Sequence, residues 1–159
     1  MLDLMLRAVL IGIGATALLD LWAQLLRRGF GLPAPNWAMT GRWFGHLARG
    51  RARHESIAAS EPVANELAIG WIAHYLVGIL FALALLAIWG PGWAARPTLA
   101  PALIVGWVTV GCGWFILQPG MGAGVASSKR PDANRVRALN IAGHTVFGLG
   151  LYASALLIQ

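Results

Sequence analysis

Asp20, His74 and His144 are ionisable residues set inside long apolar runs. Each lies about six to eight residues from the arginine-bearing end of its run. At about 1.5 Å of helical rise per residue, this predicts a common depth of roughly 10 Å below one membrane face. A charge at such depth costs on the order of 3 kcal/mol or more, so an intramembrane ionisable residue is read as functional by default. Two imidazoles and a carboxylate suit a divalent transition metal, zinc or iron. Cys112 falls at similar depth and offers a fourth ligand, although a buried cysteine more often simply packs. His46 and His54, in the loop above, would close the metal set. His74 and His144 also have the spacing of two axial ligands to one haem b, with Gly78 and Gly148 leaving room for the macrocycle and nearby arginines meeting the propionates. Two other roles stay open for the same three residues. They can be polar glue bonded between helices, or a relay that moves protons or substrate.

A second group of residues suits anions. Arg42 and Arg49 flank the first basic loop, and the stretch Gln118-Pro119-Gly120-Met121-Gly122-Ala123-Gly124 precedes Lys129 and Arg130. Alternate glycines expose backbone N–H groups that cradle a phosphate or lipid headgroup, and a nearby cation helps. Gly120, Gly122 and Gly124 are therefore expected either to bind a headgroup or to form a flexible turn. The segment is neither a Walker loop nor a dinucleotide fingerprint, since the spacing and the preceding strand are absent. No G-x-S-x-G elbow or H-E-x-x-H pair occurs. His54, Glu55 and Glu66 supply acid–base groups near the loop side, and Glu66, Gly70 and His74 share one helical stripe. Asn140 stands one turn before His144.

These residues need elements to hold them. The chain has 159 residues, 58% hydrophobic and 11% charged, where a soluble domain carries about a quarter charged residues. The composition predicts a membrane protein. Four runs are long enough to span: about Leu6 to Leu26, Leu67 to Trp89, Leu99 to Gln118 and Ala138 to Ile158. Prolines fall between or at the edges of these runs. The expectation is one all-α domain over 1–159, an up-down-up-down four-helix membrane bundle. The net charge of +6 reads as arginines that flank membrane helices, not as a nucleic-acid surface. Ten cations sit on one side (Arg27, Arg28, Arg42, Arg49, Arg51, Arg53, Lys129, Arg130, Arg135 and Arg137) against Arg7 and Arg96 on the other. The positive-inside rule then makes both basic loops cytoplasmic and both termini external. Arg7 and the small residues Ala15-Thr16-Ala17 imitate a signal peptide, but the apolar stretch runs on to Arg27 and reads as a retained helix. One cysteine excludes a disulfide framework.

In the first loop, Asn36 is positioned to cap a helix after Pro33 and Pro35. Trp37, Met39, Trp43, Phe44 and Leu47 share one broad face of that helix, and Arg42, His46 and Arg49 share the opposite one. The pattern predicts a short amphipathic helix lying in the interface, its aromatics inserted and its arginines toward phosphates. Helices two and four also share a faint repeat, Ala68…His74-x-x-x-Gly78 and Ala138…His144-x-x-x-Gly148, as in folds built from duplicated hairpins.

The segments GRWFGHLARGRARHESIA (41–58), QPGMGAG (118–124) and GHTVFGLGLY (143–152), with Asp20 and Trp22 in helix one, resemble a family of small bacterial inner-membrane proteins defined as a domain of unknown function. The resemblance covers nearly the whole chain. It implies a four-helix membrane protein and brings no activity, cofactor or catalytic residue. Three function classes therefore stand: a binding protein for a transition metal or haem, a membrane enzyme or transporter for an anionic amphiphile, and a structural or assembly subunit. Expected partners are membrane lipids and anionic headgroups, with homo-oligomeric or membrane-complex contacts along glycine-lined faces such as Gly106, Gly111 and Gly113.

Overall fold

The structure is a computed structural model that describes residues 2–158. Among the described residues it is all helical, with no strand. Six α-helical elements follow in order: α1 Leu2–Phe30, α2 Trp37–Leu47, α3 Glu66–Ala95, α4 Leu99–Cys112, α5 Gln118–Gly120 and α6 Ala133–Leu157. A π-helical turn, Gly113–Leu117, joins α4 to α5, and a 3₁₀ turn, Val125–Ser127, precedes α6. Three helices are long and apolar enough to cross a membrane: Leu2–Phe30, Glu66–Ala95 and the continuous Leu99–Gly120.

Local chemistry accounts for the boundaries. Asp3 in the first turn of α1 and Arg27 and Arg28 in its last turn both complement the helix dipole. The helix stops at Gly31, whose φ of 64° is left-handed, just before Pro33. Asn36 caps α2 as expected, its side chain accepting from the Met39 amide. α3 breaks at Gly90 (φ 73°), because Pro91 has no amide hydrogen to continue the ladder. The π-turn has a similar cause. The ring of Pro119 would collide with the Phe115 carbonyl in a regular helix, and the wider turn just before it relieves that clash.

The chain divides into two compact units. The first holds 1–34, 75–109 and 141–159. Its core is apolar and made largely of small and branched side chains: Ala8, Ile11, Ala15, Ala82, Leu85, Leu86, Ala102, Val105, Phe147, Leu151 and Ala155 are all buried. Small residues let the helices meet backbone to backbone. Gly12 of α1 lies against Gly78 and Ile79 of α3, Ala15 of α1 against Gly150 of α6, and Gly106 of α4 against Gly148 of α6. Where lipid removes the hydrophobic drive between helices, such close packing is what holds them together.

The second unit holds 35–74 and 110–140. Here α2 crosses the start of α3 at two glycines. A Cβ on Gly41 would strike the Glu66 carbonyl, and one on Gly70 would strike the Trp37 carbonyl. The irregular segment 48–65 is stitched to the turn after α5, with the amides of His54 and Ile57 donating to the carbonyls of Gly120 (2.9 Å) and Met121 (3.0 Å). The sequence pattern places α2 correctly, and the structure adds protein partners for two of its side chains. Trp43 is only 5% exposed and Arg42 8%, so these two side chains are covered by protein, while Trp37, Met39 and Phe44 are half-buried and Leu47 and Arg49 are exposed. Arg42 meets Glu66 and loop carbonyls in place of phosphates.

Candidate functional site

The most fully built polar site lies in the second unit, and α2 supplies two of its members one turn apart. Arg42 forms a bidentate pair with Glu66, Nε to Oε2 at 2.8 Å and Nη2 to Oε1 at 2.9 Å. Its remaining Nη1 donates to the carbonyls of Ile57 (3.3 Å), Ala58 (3.2 Å) and Ser60 (3.0 Å). The planar guanidinium thus gathers a loop, a helix start and its own helix at one point, which a lysine cannot do. Donation to the Glu66 carboxylate raises the Arg42 guanidinium further above its already high value, so it stays charged. Glu66 also accepts from the Val63 amide at 3.2 Å and so ties the end of the loop to the first residue of α3.

His46 and His54 meet beside this pair. His54 Nε2 and His46 Nδ1 are 3.1 Å apart. The far nitrogen of each ring faces a backbone carbonyl: His46 Nε2 that of Glu61 at 2.9 Å, and His54 Nδ1 that of Gly120 at 3.1 Å. Both rings are buried, 6% and 7% exposed. The Trp43 indole donates to the Ala52 carbonyl at 2.9 Å and closes the same loop from the side.

The other residues singled out from the sequence are engaged locally. In the first unit Asp20 accepts from the Tyr75 phenol at 2.9 Å. His144 Nδ1 lies 3.0 Å from the Gly106 carbonyl and 3.1 Å from the Thr109 hydroxyl. In the second unit His74 stacks on Trp37, with ring centroids 3.9 Å apart and planes at 26°. Among the described residues, no group of three or more His, Cys, Asp and Glu side chains is placed to hold a metal ion. The expected metal set of Asp20, His74, His144, His46 and His54 therefore has no assembled donor group behind it, and Cys112 is exposed. The haem reading loses the room it required. A Cβ on Gly78 would meet the Thr16 hydroxyl of α1, and one on Gly148 would lie 3.0 Å from the Ala102 carbonyl of α4. These glycines serve helix contact.

The glycine-rich turn also differs from the anion cradle expected of it. The amides of Met121, Gly122 and Ala123 are spent on the carbonyls of Leu117, Pro119 and Gln118. Gly120 is glycine because a Cβ would strike the Trp43 indole, and Gly122 (φ +93°) because one would strike the Glu55 carbonyl. Gly124 (φ +77°) leaves no more room, since a Cβ there would meet the Ser128 hydroxyl. Arg130 is held by Asp132 at 2.9 and 3.1 Å, and that pairing lowers the Asp132 carboxyl below its ordinary range. Arg42 is buried and paired. In contrast, Arg49, Arg51, Arg53 and Lys129 are exposed, and none makes a side-chain hydrogen bond or ion pair among the described residues.

Sequence reasoning missed the Arg42–Glu66 pair and the two carbonyls that orient the histidines. Glu66 stands out in the sequence as an acid–base group near the loop side, but nothing in its spacing points to an arginine 24 positions away. A carbonyl acceptor carries no residue signature at all. No curated protein and no solved structure matches the chain. The match to a family model extends over residues 9–158, and the chain belongs to that family, described as a protein of unknown function (DUF2938).

Proposed function

We propose that this is a four-span protein of the bacterial inner membrane that binds anionic, lipid-like headgroups at a basic cytoplasmic edge. Three helices with the length and apolarity to cross a membrane support the reading. The run from Ala138 in α6 supplies the fourth span. Ten cations on the loop side against two on the other orient the bundle with both termini outside. The observation that carries the binding role is the state of Arg49, Arg51 and Arg53. They are exposed on a segment whose backbone is anchored by buried groups on both sides, at His46 and at Gly120. Free cations on a fixed backbone meet a phosphate without the ordering cost that a flexible basic tail incurs.

The test is lipid retention by the purified protein. Delipidated protein in detergent is titrated with phosphatidylglycerol or phosphatidylcholine, and bound lipid is counted by native mass spectrometry. Each cation near a headgroup contributes about 1 kcal/mol. The native protein is expected to prefer the anionic lipid by an order of magnitude or more, and the triple variant Arg49→Gln, Arg51→Gln, Arg53→Gln to lose most of that preference. An unchanged preference in the triple variant overturns the assignment.

A further inference from the structure

We infer that His46 and His54 together hold one proton more than two neutral imidazoles carry, and that this shared proton locks the 48–65 segment onto α2 and the turn at Gly120. The argument is a count. Two of the three contacts made by this pair go to carbonyl oxygens, which only accept, so His46 Nε2 and His54 Nδ1 must both carry hydrogen. If both rings were neutral, His46 Nδ1 and His54 Nε2 would then be bare. Two lone pairs would face one another across 3.1 Å, in a place where both rings are over nine-tenths buried and water cannot intervene. One proton between them turns that repulsion into an N–H···N bond of ordinary length. Three hydrogens on four nitrogens satisfy every contact: an imidazolium donates to an imidazole, and each ring also donates to a carbonyl.

The surroundings bear on that charge from each packed element. α2 contributes Arg42, one turn before His46, with its charge matched by Glu66 at the start of α3. The loop contributes Arg49, Arg51, Arg53, Glu55 and Glu61, all exposed. The turn 118–121 contributes no titratable group. With Arg42 paired to Glu66 and the loop charges exposed, the histidine pair is the other buried site of charge at this junction, and the carbonyls of Glu61 and Gly120 are aimed at it. Without that proton one of the three contacts must fail. The segment bearing the free arginines then loses an anchor. The inference concerns this junction alone and holds whatever those arginines bind.

The experiment uses full-length protein in detergent micelles, labelled with ¹⁵N at its four histidines. Near neutral pH the expected result is one imidazolium and one imidazole from the pair, with a through-hydrogen-bond N–N coupling that disappears in His46→Gln and in His54→Gln. Two neutral rings and no coupling in the native protein overturn the inference. So does a stoichiometric metal, found by elemental analysis, that is lost with either histidine, because the cation between the rings would then be that metal. Trypsin supplies a second readout that does not depend on either variant folding. Cleavage after Arg49, Arg51 and Arg53, scored against an unstructured reference peptide, is expected to rise roughly fivefold across the proton loss, as for a local opening relieved of one buried hydrogen bond. A flat profile in the native protein overturns the locking role. Neither readout involves lipid, so a failure here leaves the headgroup assignment to its own test.

Discussion

At the residue scale, one arginine and one carboxylate organise the polar end of the second unit. Arg42 uses all three guanidinium nitrogens, two on Glu66 and one on three loop carbonyls. Removing it leaves Glu66 with only the Val63 amide and three loop carbonyls without the guanidinium, in a site only partly open to water, which costs more than the pair is worth in isolation. Arg42→Ala is expected to lower the thermal unfolding temperature in detergent. Arg42→Lys should recover only part of the loss, because an ammonium cannot span the carboxylate and the carbonyls together. Equal stabilities for the two variants would show that charge alone matters there. In the first unit, Tyr75→Phe removes the phenol that donates to Asp20. Hydrogen bonds between membrane helices are modest, so the expected loss is about 1 kcal/mol, measured by reversible unfolding.

At the element scale, the contact that decides the second unit is the crossing of α2 over the start of α3. Both helices bring a glycine to it, and a methyl group has nowhere to go at either. Gly41→Ala is expected to destabilise by about 2 kcal/mol, through forced separation of the helices. Gly92→Ala, at a position with nothing within 4 Å of an added Cβ, is the matched control and should be close to neutral. If the two substitutions behave alike in a thermal shift assay, the close crossing does not hold the unit together. The interfacial helix expected from the aromatic face was a sound reading of periodicity. Trp43 of that face is covered by protein while Leu47 stays exposed, because periodicity reports which residues share a face and not what each of them meets.

At the scale of the whole molecule, the orientation rests on the distribution of cations and is open to direct measurement. In a Cys112→Ser background, a cysteine at position 51 should react with a membrane-impermeant thiol reagent only after the cells are opened. One placed at position 96 should react in intact cells. The opposite pattern would invert the bundle and place the basic edge outside. Reaction of both in intact cells would show that α3 does not cross the membrane.

Much of this protein is legible without coordinates. The apolar runs, the prolines between them, the cap at Asn36 and the one-sided arginines all reflect short-range rules of helix formation and charge placement, and these act within a few residues of one another. Asp20, His74 and His144 are also conspicuous in the chain, since ionisable groups are costly in an apolar run. Their partners are not. Tyr75, Thr109 and the carbonyl of Gly106 could be assigned only once separate helices had packed, and the glycines reserved for a macrocycle or a phosphate proved to be places where a side chain or backbone from elsewhere leaves no room for a Cβ. The same holds for His46 and His54. Eight positions apart, they read as two loop residues, and they become a pair with a definite proton count only when the carbonyls of Glu61 and Gly120 are brought against their outer nitrogens. Residue type announces that a group can bond. Which atom it meets depends on long-range packing, and a carbonyl from a distant turn leaves no trace in the order of amino acids.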